Sequence, residues 1–314
     1  MNLAIVIPVF NEELTIAEVI RRFHGVVPQA ALYVIDNGST DRTAEAARKT
    51  FSETGCAGGV RFVPRRGKAN AVRWAFRHLD ADIYVLVDGD ATYAAEDLPK
   101  LMAPIIEGRA DMAVGDRFAD GNYAEKTGRL FHTAGNVFVR ILINSLFRTE
   151  LHDIMSGYRV FNRLFVKNYS ILCEGFELET EMTLHALDKR FGIQEVAIQY
   201  HCRPKGSQSK LCTLGDGVRV IGTILQIFKD YRPLAFFGSL FLVFLIAGLL
   251  CGTVPVLDFV RYRYVYHIPL AILSVGLTIT AIMSLGIGLI LDTMANYQRI
   301  LFERQILHHG NAGN

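Results

Sequence analysis

The chain has 314 residues, with 33 Lys and Arg against 31 Asp and Glu for a net charge of +2, and a hydrophobic fraction of 51%. That length holds one globular domain of about 200 residues with a smaller addition, and the near balance of charge excludes the global basic field that would make nucleic acid a partner. Cys56, Cys173, Cys202, Cys212 and Cys251 form neither a C-x-x-C pair nor a paired spacing, which argues against a zinc site or a disulfide framework and for a reducing, cytosolic setting.

In chain order, roughly the first 200 residues alternate strand-like and helix-like patterns, the signature of an α/β domain with a mainly parallel sheet. Leu3-Ala4-Ile5-Val6-Ile7 is a continuous apolar run suited to a buried parallel strand, and Pro8 is expected to stop it. Asn11 is placed to cap a helix carrying Leu14, Ile16, Val19, Ile20 and Phe23, with Glu12 and Glu13 in its first turn. Leu32-Tyr33-Val34-Ile35 reads as the second strand, and Asp36-Asn37-Gly38-Ser39-Thr40-Asp41 separates it from the next helix. Val60 to Val63, Ile83 to Val87 and Asp111 to Val114 supply three more strands, and Arg65-Arg66-Gly67-Lys68 makes a basic loop ahead of a helix from Ala69 to Leu79.

Ligands of such sheets bind beyond the carboxyl ends of the strands. Pro8 to Glu12, Asp36 to Asp41 and Asp88 to Asp90 each follow a strand directly, the convergence expected of a nucleotide site. No G-x-G-x-x-G follows the first strand and no G-x-x-x-x-G-K-[ST] occurs, so dinucleotide and P-loop readings lose their main support. In Asp88-Gly89-Asp90 two carboxylates leave the end of a buried strand, with Gly89 allowing close backbone approach. They suit a hard cation such as Mg2+ or Mn2+ that also binds phosphate oxygens; the triplet alone reads equally as a turn capped by aspartates.

Pro233 to Leu257 and Ile268 to Leu291 carry no charge, and each exceeds the roughly 20 residues a helix needs to cross a bilayer. Two such stretches joined only by Asp258 to His267 predict a transmembrane hairpin. Gly248, Gly252, Gly276, Gly286 and Gly288 suit close helix packing, between subunits as well as within one, and are compatible with a homo-oligomer. Arg203, Lys205, Lys210, Arg219, Lys229 and Arg232 precede the first span and Arg299 and Arg304 follow the second, against Arg261 and Arg263 between them. The excess places the main domain and both termini on the cytoplasmic side of an integral membrane protein, and Met1 opens directly onto a strand without a signal peptide. Val218, Ile221, Leu225 and Phe228 recur at helical spacing within Leu214 to Tyr231, which fits an interfacial helix or an amphipathic one packed on the domain. The expected division is therefore a domain over 1–210, an amphipathic region over 211–232, two spans within 233–291 (233–257 and 268–291), and a tail over 292–314.

Ile7-Pro8-Val9-Phe10-Asn11-Glu12, Asp36-Asn37-Gly38-Ser39-Thr40-Asp41, Gly67-Lys68 and Asp88-Gly89-Asp90, in this order and spacing, resemble family 2 inverting glycosyltransferases of the GT-A fold. His152-Asp153-Ile154-Met155-Ser156-Gly157-Tyr158-Arg159 and Arg203-Pro204-Lys205-Gly206-Ser207-Gln208-Ser209-Lys210 are similar to the D-x-x-S-G and R-x-x-G-x-S-K segments of polyprenyl-phosphate sugar synthases, of which dolichol-phosphate mannose synthases are one branch. The resemblance covers about residues 1–232. It implies that Pro8, Phe10, Glu12 and Asp36 line a nucleoside pocket, with Lys68, Asp88 and Gly89 also at the nucleotide and Asp90 as chief ligand of Mg2+ or Mn2+. One branch has a metal-binding glutamine two positions after the second aspartate, where this chain has Thr92. Arg203 and Lys210 would close over the donor diphosphate, on a loop whose glycine and serines suit a mobile lid.

The resemblance also implies acceptor-phosphate arginines at Arg117 and Arg129, with Thr133 and Ser156 as hydroxyl donors. A lipid phosphate is anionic at neutral pH and attacks the anomeric carbon without a strong general base, so its site needs cations. Asp153 is expected to be an essential catalytic aspartate, with three roles open to it: base, stabiliser of an oxocarbenium-like transition state, or holder of the arginines. Glu177, Glu179 and Glu181 surround the start of a helix, where acidic residues are favoured, and one of them is a candidate contact to acceptor or sugar. The expected reaction is transfer of one sugar from a UDP- or GDP-linked donor to a polyprenyl phosphate at the cytoplasmic leaflet. Transfer to a hydroxyl of a glycolipid or polysaccharide, and a non-catalytic membrane adaptor, are the competing readings.

Overall fold

A computed structural model describes residues 1–119, 130–171, 178–201 and 225–310. Arg129, Glu177, Arg203 and Lys210 lie outside the described residues, as does most of the amphipathic stretch at 211–232, of which 225–231 is helical. The chain divides into two compact units, Met1–Leu211 and Cys212–Asn314.

The first unit is built on a seven-stranded sheet of order β3-β2-β1-β4-β6-β5-β7. β1 (Leu3–Val9) runs parallel to β2 (Ala31–Asp36) on one side and β4 (Ile83–Leu86) on the other. Every residue of β1 is buried, which is why its sequence is apolar throughout instead of alternating. β3 (Gly58–Phe62) extends the parallel half beyond β2. On the other side β6 (Arg159–Asn162) runs antiparallel between β4 and β5 (Met112–Asp116), and β7 (Ile193–Ala197) joins β5 in parallel. The result is a mixed, mainly parallel GT-A-like core. α1 (Ile16–Val26), α2 (Thr43–Thr54), α3 (Lys68–His78) and α4 (Leu98–Ile106) connect the strands, and α1 buries Ile16, Val19, Ile20 and Phe23 at helical spacing against the sheet.

Two local expectations are corrected. Pro8 does not stop β1, which continues to Val9. The carbonyl of Val6 accepts from Val87 and that of Val9 from Asn37, so alternate residues face opposite neighbours and Pro8 faces the β4 side. The ladder with β4 ends at the Val6 and Leu86 pair, so the missing N–H costs no sheet hydrogen bond. Nor does Asn11 cap α1, whose N-cap is Thr15. Asn11 instead takes a left-handed turn at φ 56°, a conformation asparagine tolerates, and Leu14 is exposed in the loop. β6 and β7 go beyond the strands expected from sequence. β6 is a four-residue segment directly after a polar turn, and β7 carries Gln194 and Glu195, so neither shows a long apolar run.

The second unit contains helices Pro233–Tyr262 and Ile268–Gly310, both long and apolar enough to cross a bilayer. At 30 and 43 residues they rise about 45 and 65 Å, more than a hydrocarbon core of about 30 Å requires. The extra length of the second carries Asp292, Arg299, Glu303 and Arg304 beyond the apolar stretch. Small residues mediate their pairing. A Cβ on Gly248 would meet Thr278 Oγ1 at 2.9 Å, one on Gly252 would meet Ser274 Oγ at 2.7 Å, and the Ser274 hydroxyl donates to the Gly248 carbonyl at 2.8 Å. Gly276 and Gly286, by contrast, have nothing within 4 Å of such a Cβ.

Candidate active site

The loops after β1 and β2 are laced together. Asn11 accepts from the Thr40 N–H at 2.8 Å, Glu12 N–H donates to Thr43 Oγ1 at 2.8 Å, and Arg42 N–H donates to Glu13 at 2.9 Å. The buried Asp36 carboxylate accepts from Ser39 N–H at 2.9 Å, the side-chain-to-backbone bond that folds Asp36 to Asp41 into a turn. Asn37 donates to the carbonyls of Val63 and Arg65, at 3.3 and 2.6 Å, and accepts from Gly67 N–H, so it anchors the basic loop. That loop turns at Gly67, φ 114°, and lays the Arg66 guanidinium 5.6 Å from the Phe10 ring centroid. Pro8, Phe10, Glu12 and Asp36 thus share one end of the sheet with the basic loop.

Asp88-Gly89-Asp90 leaves β4 beside this loop. Gly89 is required by packing, since a Cβ there would stand 2.6 Å from Val9 Cγ1, and its carbonyl accepts from Thr15 Oγ1 at 2.7 Å. Lys68, the first residue of α3, lies 2.5 Å from both Asp88 Oδ1 and Glu179 Oε1. Burial disfavours the ammonium, but the two carboxylates outweigh it and raise the Lys68 pKa above the usual lysine range. Gly157 passes so close that a Cβ would meet Asp88 Oδ2 at 2.5 Å, and its N–H donates to the Tyr93 hydroxyl at 2.9 Å. Asp90 is 3% exposed and is oriented by Thr92, whose N–H and hydroxyl donate to Oδ1 at 3.2 and 2.6 Å. Thr92 therefore serves the carboxylate beside it.

Asp88 and Asp90 present hard oxygens and suit Mg2+ or Mn2+ as a pair. Among the described residues no group of three or more His, Cys, Asp or Glu converges on a metal position, so phosphate oxygens and water would have to complete the shell.

Across the sheet, Arg117 follows β5 and Asp153 precedes β6. Arg117 Nε and Nη2 donate to the two oxygens of Asp153 at 2.7 and 2.9 Å, a bidentate pair with Asp153 2% exposed, and the Arg117 N–H adds a third bond at 3.1 Å. Arg117 also lies over the Tyr200 ring, 5.6 Å from its centroid. Glu195 on β7 accepts from the N–H groups of His152 and Asp153 and so secures the turn. Ser156 is wholly buried, its hydroxyl accepting from Tyr158 N–H at 3.4 Å. Thr133 falls in the helix Leu130–Phe147. Tyr200 pairs with Tyr93 in an isolated bridge, and His201 N–H donates to the Thr92 carbonyl at 2.8 Å, which holds residues 200 and 201 beside the Asp90 turn.

Sequence reasoning missed two supports of this site. Arg159 is fully buried and ties the Asp153 turn to the domain: Nε donates to the Ser156 carbonyl at 2.9 Å, Nη2 to that of Ile154 at 2.7 Å, and Nη1 to Thr183 Oγ1 at 3.0 Å. Burial lowers its pKa from the ordinary arginine value. Its signal was its place directly after Ser156-Gly157-Tyr158. Glu195 carried no signal beyond being a charge within a strand.

A buried β4 followed by paired carboxylates, with the loops after β1 and β2 at the same end of a mainly parallel sheet, is the arrangement of the GT-A class of nucleotide-dependent transferases. Residues 4–170 match the model of glycosyl transferase family 2, and the chain belongs to that family. It is a glycosyltransferase whose reaction takes a sugar from a nucleotide-sugar donor with inversion. Glycosyltransferase AglJ of Haloferax volcanii is 31% identical over 301 residues, covering 96% of each chain. A dolichyl-phosphate hexose transferase of the same organism is 30% identical over 74% of this chain and 96% of its own. The polyprenol monophosphomannose synthase of Mycolicibacterium smegmatis is 28% identical over 64% of this chain and 78% of its own. In fold, the chain is similar to glucosyl-3-phosphoglycerate synthase of Mycobacterium tuberculosis, solved with Mn2+, UDP-glucose and phosphoglyceric acid, at TM-score 0.56 and 21% identity over 73% of this chain and 79% of that one.

Proposed function

We propose that the chain transfers one sugar from a UDP- or GDP-linked donor to a polyprenyl phosphate at the cytoplasmic face of a membrane. The observation that carries this reading is a family 2 domain joined to two helices long and apolar enough to cross a bilayer, which would keep the enzyme with a substrate whose tail cannot leave the lipid. A phosphate oxygen of the acceptor attacks the anomeric carbon from the face opposite the donor, the new carbon–oxygen bond forms, and the nucleoside diphosphate leaves with the electron pair of the broken bond. Asp90, with Asp88, would hold Mg2+ or Mn2+, which when bound would supply positive charge at the leaving diphosphate. Pro8, Phe10, Glu12, Asp36, Lys68 and Gly89 form the nucleotide side, Arg203 and Lys210 cover the diphosphate, and Arg117 and Arg129 with Thr133 receive the acceptor phosphate.

Asp153 acts as holder of Arg117 in this scheme. Both its oxygens are engaged by one guanidinium, a poor arrangement for a base and a good one for aiming a cation. A hydroxyl acceptor would need that base, so the pairing favours a phosphate acceptor. The test is incubation of the purified full chain in detergent with polyprenyl phosphate, Mn2+ or Mg2+, and a panel of labelled nucleotide sugars. A lipid-linked sugar from one donor is the expected product; none from any donor, with transfer to a glycolipid hydroxyl instead, would overturn the reading.

A further inference from the structure

Glu179 is a carboxylate at the donor side to which the family resemblance assigns no task, and its surroundings give it one. It stands in the first turn of the helix Leu178–Asp188, where an acidic residue is favoured by the helix dipole alone. That preference is satisfied by an exposed side chain, yet Glu179 is 6% exposed and lies 2.5 Å from an ammonium 111 residues away in sequence. The same ammonium contacts Asp88, so one lysine is shared between two carboxylates from different elements.

We propose that Glu179 is a positioning residue that shares Lys68 with Asp88 and draws the ammonium away from Asp88 when a divalent cation occupies the Asp88 and Asp90 pair. The inference rests on the cation reading above. A cation at Asp88 repels the ammonium 2.5 Å from Oδ1, and a lysine whose side chain is only 16% exposed leaves that carboxylate more readily for another carboxylate than for water. Glu179 is that partner, already in contact, and the lysine stays paired throughout. Without Glu179 the ammonium would have Asp88 as its remaining carboxylate partner and would compete with the cation for it.

The test is a Mn2+ titration of the full chain in detergent, without nucleotide, with unbound Mn2+ read by its paramagnetic resonance signal. Glu179→Gln is expected to weaken Mn2+ binding about tenfold. In a Lys68→Met background, where nothing competes for Asp88, the same change is expected to cost less than about threefold. Equal losses in the two backgrounds, or no loss in either, would overturn the inference while leaving the cation reading intact. Failure of the unaltered chain to bind Mn2+ would sink the cation reading and this inference together. Should Glu179→Gln not fold, Glu179→Met, which removes the carboxylate while filling a similar volume, carries the same comparison with the same two outcomes.

Discussion

Asp90 and Asp153 are both buried carboxylates beside the same sheet, yet their partners assign them opposite work. Asp90 accepts a hydroxyl and an N–H from Thr92, both neutral donors, and in the proposed scheme it faces the cation. Asn at this position preserves the shape and removes the charge, so Asp90→Asn is expected to lower sugar transfer about 100-fold with little change in unfolding temperature. Steady-state rates and thermal unfolding of the same preparation check both halves. Asp153 spends its charge on Arg117, which is 10% exposed at the side chain against 1% for Asp153. Breaking such a pair leaves a poorly compensated buried cation, and Asp153→Asn is expected to cost about 3 kcal/mol of stability. Arg117→Met combined with Asp153→Leu should regain much of that stability while transfer stays lost. Recovery of transfer in the double variant would show that the pair serves only the fold.

At the scale of elements, the helix Leu178–Asp188 joins stability to the site because it carries both Glu179 and His185. His185 packs among Phe165, Tyr169 and Phe191, and burial lowers its pKa from 6.5 to about 4. The unfolded chain therefore binds the proton more readily between these values. Stability is complete above pH 6.5, falls as pH drops towards 4, and falls no further from this group below that. The loss is expected to reach about 2 kcal/mol; unfolding of the full chain at pH 7 and pH 4.5 measures it, and His185→Phe should flatten the difference. The two long apolar helices offer a second contrast. A side chain at Gly248 meets Thr278, Leu277 and the Ser274 carbonyl, whereas one at Gly276 meets nothing within 4 Å. Gly248→Val is expected to weaken the hairpin, seen as faster proteolysis between the helices. Gly276→Val should leave the hairpin intact, and a fall in oligomer size on chromatography in that variant would place Gly276 between subunits.

For the whole molecule, the two helices long and apolar enough to cross a bilayer and the family 2 domain belong to separate units of one chain, and the reading that unites them predicts integral behaviour. The full chain is expected to remain in the pellet after carbonate extraction of membranes and to enter solution only with detergent. Release by carbonate would remove the ground for a lipid acceptor. Much of this was readable from the sequence, because it depends on neighbours along the chain: the apolar run of β1, the polar clusters that follow β1, β2 and β4, and the two uncharged stretches near the C-terminus. Pro8 and Asn11 misled because their roles are set across strands, by a ladder that ends at Val6 and by a turn that leans on Thr40. The pairing of Lys68 with Glu179, of Arg117 with Asp153 and of Arg159 with the Ser156 turn was likewise beyond local reading. Order along the chain determined which residues stand at the ends of strands, since that follows from apolar period and turn chemistry. Which charges meet there was decided only by the sheet order β3-β2-β1-β4-β6-β5-β7, which brings residues from distant segments within hydrogen-bonding reach, where burial makes their pairing obligatory.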